Sequence, residues 1–116
     1  MGEYERILKK QLKAQDKQIK AIHEAEAKYK DDLPKLIEFW EAELAERGLL
    51  INGTKWRFRL IDLYYRSGRY DDAWHKLNML LIDPSYRERV RKWQIRILKK
   101  EKKDYTHIQQ LLDNNQ

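Results

Sequence analysis

Apolar residues recur along most of this chain three and four positions apart, the period of helices with one face turned inward. The pattern predicts an all-α fold of about six helices and essentially no strand. Residues 3–30 read as one long, charged helix, with Tyr4, Leu8, Leu12, Ile19, Ile22 and Tyr29 near a single stripe that Gln15 interrupts. A seam this narrow suits coiled-coil pairing as well as packing onto a domain. The expected arrangement packs the second half of the helix and projects the first half into solvent. The other is a homo-oligomer paired through this helix. The chain then divides into an amphipathic helix over residues 1–30 and a helical domain over residues 31–116.

A second helix starts at Asp31-Asp32-Leu33-Pro34, where a carboxylate can cap free amides and proline fits the first turn. It places Leu33, Leu36, Ile37, Trp40 and Leu44 on one face and stops at Gly48. The stretch GLLINGTK follows, with its turn at Asn52-Gly53. Leu49, Leu50 and Ile51 are unusually apolar for a loop and are expected to plug the end of the helical core.

Residues 55–84, KWRFRLIDLYYRSGRYDDAWHKLNMLLIDP, read as a helix, a tight turn and a second helix closed by Pro84. Leu60 and Tyr64 take packing positions on the first helix, and Gly68 lies in the turn, where lack of a Cβ makes positive φ cheap. Tyr70, Ala73, Leu77 and Leu80 follow on the second helix. At these positions the segment resembles a tetratricopeptide repeat, whose period is roughly 34 residues. It departs from that pattern at Arg57, where the family often has tryptophan, and at Ile61, where it prefers a small residue.

A weaker copy spans residues 86–114. Tyr105, Ile108 and Leu112 lie 35 residues after Tyr70, Ala73 and Leu77, and Trp93, Ile95 and Leu98 follow Phe58, Leu60 and Leu63 by the same interval. Lys103 falls where the turn glycine would be, so this turn must differ or be looser. The resemblance implies a non-enzymatic surface that holds a partner, with a groove at Lys55, Phe58, Arg59, Asp62, Tyr65 and Arg66. Lys55 and Arg59 also match a basic pair that some family members use to hold a peptide's terminal carboxylate. The asparagines that complete that clamp are absent, and Asp62 would oppose a carboxylate.

Charge is unevenly spread. Residues 1–53 carry a net −1 and residues 54–103 a net +9, within a total of +6. After Pro84, Arg89, Lys92, Arg96, Lys99 and Lys103 recur at helical spacing and make a candidate polyanion-binding face. An acidic protein or peptide is the partner expected first and nucleic acid second. There is no helix-turn-helix signature, zinc knuckle or RNA-binding motif to read bases. The helix order and the segment IDLYYRSGRYDDAW also resemble small terminase subunits of tailed phages, which would imply DNA binding. The shortage of repeats equally suits a structural subunit of a larger assembly.

Composition removes other classes. Without cysteine there is no disulfide framework and no thiolate metal site. No apolar run approaches the roughly 20 residues that span a bilayer, and the charged N-terminus has no signal-peptide hydrophobic region. No membrane partner and a cytoplasmic location are expected. Mean hydropathy is −0.95, but four tryptophans, seven tyrosines and two phenylalanines argue against disorder. Ser67 and Ser85 sit at expected hairpin ends, and His23 with Glu26 or Asp71 with His75 offers a metal only two groups. No enzyme, metal or cofactor is expected.

Overall fold

Seven α-helices, one short 3-10 turn and no strand make up residues 2–114, which the computed structural model describes. The helices are α1 (Glu3–Lys28), α2 (Leu33–Arg47), α3 (Thr54–Arg57), α4 (Arg59–Arg66), α5 (Tyr70–Leu80), α6 (Arg87–Lys100) and α7 (Thr106–Asp113). The 3-10 turn, Pro84–Tyr86, leads into α6. The all-α class is as expected. The additional helix arises at Phe58, whose backbone (φ −102°, ψ 2°) divides the expected first hairpin helix into α3 and α4. The chain gathers into two compact units, one up to Leu63 and one from Tyr64 onward.

In the first unit α1 packs on α2. Asp32 caps α2 by accepting from the Lys35 N–H at 3.2 Å, with Pro34 in the first turn. Gly48 ends the helix at φ +70°, a conformation that favours glycine. The inward face of α2 is Leu36, Ile37, Trp40 and Glu43; Leu44, expected inside, is half-buried. On α1 the buried positions are Gln18, Ile22 and Ala25, while Tyr4, Ile7, Leu8 and Leu12 are exposed. The first half of α1 is exposed in the single chain, which both readings of this helix require.

Two glutamines hold the apolar loop. Gln18 Nε2 donates to Glu43 Oε2 at 3.0 Å and to the Gly48 carbonyl at 2.8 Å, and Gln18 Oε1 accepts from the Leu50 N–H at 2.8 Å. Gln15 Nε2 donates to the Leu50 carbonyl at 3.0 Å. Both backbone groups of Leu50 are therefore satisfied by side chains of α1, as buried backbone requires. Ile51 is buried and Leu49 and Leu50 are half-buried, consistent with the expected plug.

In the second unit α6 packs against both α5 and α7. Tyr64, Ala73, Leu77, Val90, Ile95 and Ile97 are buried, with Gln94 among them. Two of its helix ends close in the same way. After α4, Gly68 has φ +76° and the Arg69 N–H donates to the Tyr64 carbonyl at 2.8 Å. After α6, Lys102 has φ +58° and the Lys103 N–H donates to the Leu98 carbonyl at 2.9 Å. The left-handed residue is thus Lys102, one position before the expected Lys103. The connection is also longer, residues 101–105 against 67–69. A lysine with a Cβ is strained in this conformation. Lys102→Gly is therefore expected to stabilise the protein by about 0.5–1 kcal/mol. Urea unfolding that shows a loss of stability would contradict this reading of the turn.

Candidate anion-binding face

The six residues expected to line a groove have different fates. Lys55 is exposed, its ammonium 4.7 Å from the centre of the Trp56 ring. Phe58 is buried at 4% exposure and offers nothing to a ligand. Arg59 is engaged within the protein. Its Nε and Nη2 donate to the two carboxylate oxygens of Glu26 at 3.0 and 2.7 Å, and its Nη1 donates to Asp62 at 2.9 Å. The hydrogen bond to Glu26 raises the Arg59 pKa; burial opposes this, and the charges of Glu26 and Asp62 reinforce it. A guanidinium that already holds two carboxylates has no fork left for the terminal carboxylate of a peptide. Tyr65 and Arg66 belong to the second unit, Tyr65 half-buried and Arg66 exposed.

The Glu26 side of this network is equally occupied. Glu26 Oε2 also accepts from the Trp40 indole N–H at 2.9 Å. Burial pushes the Glu26 carboxyl up. The hydrogen bonds from Arg59 and Trp40 and the charges of Arg59 and Lys55 outweigh it, and the group ends below its ordinary value. Trp40 stacks on Trp56 with ring centres 5.8 Å apart, and the His23 ring lies 6.1 Å from Trp56. His23 and Glu26 therefore serve an aromatic cluster. Among the described residues no three histidine or acidic side chains gather to hold a metal ion.

The basic residues of α6 are placed otherwise. Arg89, Lys92 and Arg96, at i, i+3 and i+7, line one surface hollow of about 500 Å³ together with Ser85, Glu88 and Trp93. Arg96 lies over two rings, its guanidinium carbon 4.8 Å from the centres of both Tyr65 and Trp93. Those rings meet edge to face at 5.6 Å, and Tyr65 makes a second such contact with Tyr70 at 5.7 Å. Lys92 pairs with Glu88 at 2.9 Å, both side chains being more than 60% exposed. Such a surface pair is worth about 0–1 kcal/mol and opens readily to another anion.

The two remaining residues of the expected face lie apart from this hollow. Lys99 sits 5.0 Å over the Tyr105 ring. Lys103 pairs with Glu101 at 3.5 Å and borders a smaller depression with Tyr70, Asp71, Trp74 and Leu98. Arg91 turns inward: Nη1 donates to Gln94 at 2.9 Å, and its buried Nε has no hydrogen-bond partner among the described residues. Helical spacing identified the cations. That spacing carries no sign of the Tyr65 ring beside Arg96, because Tyr65 comes from a helix far earlier in the chain.

Comparison with protein-family models, with curated proteins and with solved structures found no match to this chain. No helix among the described residues is long and apolar enough to cross a membrane.

Proposed function

We propose that this chain is a non-catalytic, tetratricopeptide-like interaction module that holds an acidic protein or peptide on the basic face of α6. The supporting observation is the hollow where Arg89, Lys92 and Arg96 meet, with Glu88 the acidic residue lining it. The hydrogen-bonded turn at Gly68 supports the repeat-like reading of the hairpin. On the earlier helices, Phe58 and Arg59 are taken up by the protein's own packing, so the binding surface moves to α6. Long-range steering by a predominantly basic surface favours an acidic partner. Nucleic acid is the less favoured polyanion, because Arg96 covers the ring faces on which bases would stack.

The test is fluorescence anisotropy of a labelled glutamate-rich peptide and of a labelled short DNA duplex. The peptide is expected to bind, and Arg89→Glu with Lys92→Glu to weaken it by about tenfold or more at unchanged helicity. Retained peptide affinity in that variant would reject the face. A duplex that binds more tightly than the peptide at every salt concentration would replace this reading with a nucleic-acid one.

A further inference from the structure

We infer that the hollow on α6 is a recognition site for a phosphate monoester carried by a protein partner. This inference rests on the proposed capture of an acidic protein at the same face.

Three features separate a phosphate site from a merely basic patch. The first is the clustering of cations. Arg89, Lys92 and Arg96 line the hollow, with Glu88 the acidic residue among its lining. A phosphate monoester carries about −1.5 to −2 at neutral pH, against −1 for a carboxylate, and is attracted more strongly to clustered cations. The second is the state of Arg96. Its guanidinium carbon lies 4.8 Å from the centres of both the Tyr65 and Trp93 rings, and among the described residues it pairs with no carboxylate. Contact with two rings limits the rotation of an otherwise flexible side chain, and its N–H groups are not taken up by a carboxylate of the protein. That fork matches two phosphate oxygens at once. The third is the neighbouring chemistry. The Lys92 ammonium adds a point charge that its weak, exposed pair with Glu88 does little to withhold.

The hollow's size supports a side chain as carrier. About 500 Å³ of open space exceeds a bare phosphate ion and accommodates a phosphorylated residue with its flanking backbone.

The experiment is a set of titrations of the full ¹⁵N-labelled chain, read at the Trp93 indole N–H and the Arg96 side-chain N–H. The probes are a short acetylated, amidated phosphoserine peptide, its aspartate counterpart, inorganic phosphate, and a single-stranded oligonucleotide. The phosphoserine peptide is expected to shift both signals and to bind about tenfold more tightly than the aspartate peptide. Arg96→Lys, which keeps the charge and loses the fork, should abolish that tenfold preference, with the phosphoserine peptide losing more affinity than the aspartate peptide. Equal affinity for the phosphoserine and aspartate peptides in the wild-type protein overturns the inference, with no variant needed. So does a preference that survives Arg96→Lys, inorganic phosphate binding as tightly as the phosphopeptide, or tighter binding of the oligonucleotide. Loss of the phosphate preference with glutamate-rich peptide binding intact leaves the acidic-partner reading standing; failure of both peptides removes both.

Discussion

Trp40→Ala is expected to destabilise the first unit by about 3–5 kcal/mol, the range for removing a large buried aromatic side chain. Trp40 is fully buried and stacks on Trp56, so the truncation empties a cavity and takes away one side of the aromatic pair. It also removes the indole donor from Glu26, leaving that carboxylate more dependent on Arg59. Domains of this size have total stabilities of about 5–15 kcal/mol, so the loss is a large share of the whole. Trp40→Phe keeps most of the buried area and forfeits the hydrogen bond, and its cost is expected near about 1–2 kcal/mol. Urea unfolding followed by near-ultraviolet circular dichroism measures both. Equal effects for the two variants, each under about 1 kcal/mol, would show that the Trp40–Trp56 pair is not central to this unit.

The elements that read correctly from sequence are those marked by residues with one strong local preference. Asp32 and Pro34 announce α2, Gly48 stops it, and Gly68 marks the next turn; each acts through backbone geometry within its own few residues. The side of α1 that faces inward was read less well. Periodicity places Ile19 in the packed stripe, yet it is 38% exposed, while Gln18 is 2% exposed. The inward line runs through Gln15, Gln18, Ile22 and Ala25, spaced three, four and three. Two of those residues are glutamines, which hydropathy counts as surface. Their burial depends on Glu43 and on the carbonyl and amide groups of the loop after α2, more than 20 residues away in sequence. Long-range pairing of this kind has no local signature. The same holds for Arg59, which reads as part of a charged ligand-facing stripe until Glu26, 33 residues earlier, is placed beside it. On α6 the cations were legible because helical spacing alone puts Arg89, Lys92 and Arg96 together. That Arg96 rests on Tyr65 required the fold.

Arg59→Met is expected to cost about 2–3 kcal/mol at neutral pH, and the cost is expected to shrink in acid. A fully buried carboxylate stripped of its partner costs about 3–5 kcal/mol; here the Glu26 and Arg59 side chains are 22% and 21% exposed, and residual hydration lowers the figure. The pH dependence follows from the carboxylate. In the native protein Glu26 has a pKa below its ordinary value, because Arg59, Trp40 and Lys55 together outweigh the burial that would raise it. Its ionised form binds the fold more strongly than its neutral form. That stability is fully present above the ordinary glutamate pKa of about 4.3 and is lost as pH falls through the lower, folded-state value. Without Arg59 the largest opposing influence is gone, and the burial that raises the pKa is offset only by Trp40 and Lys55. Protonation then removes less stability from the variant than from the native protein. The gap between the two should be widest above about pH 5 and clearly smaller near about pH 3. Urea unfolding of both proteins at these two pH values, at constant ionic strength, decides the matter. A gap that stays constant would mean that Arg59 contributes through packing of its aliphatic stem, with little coupling to the charge on Glu26.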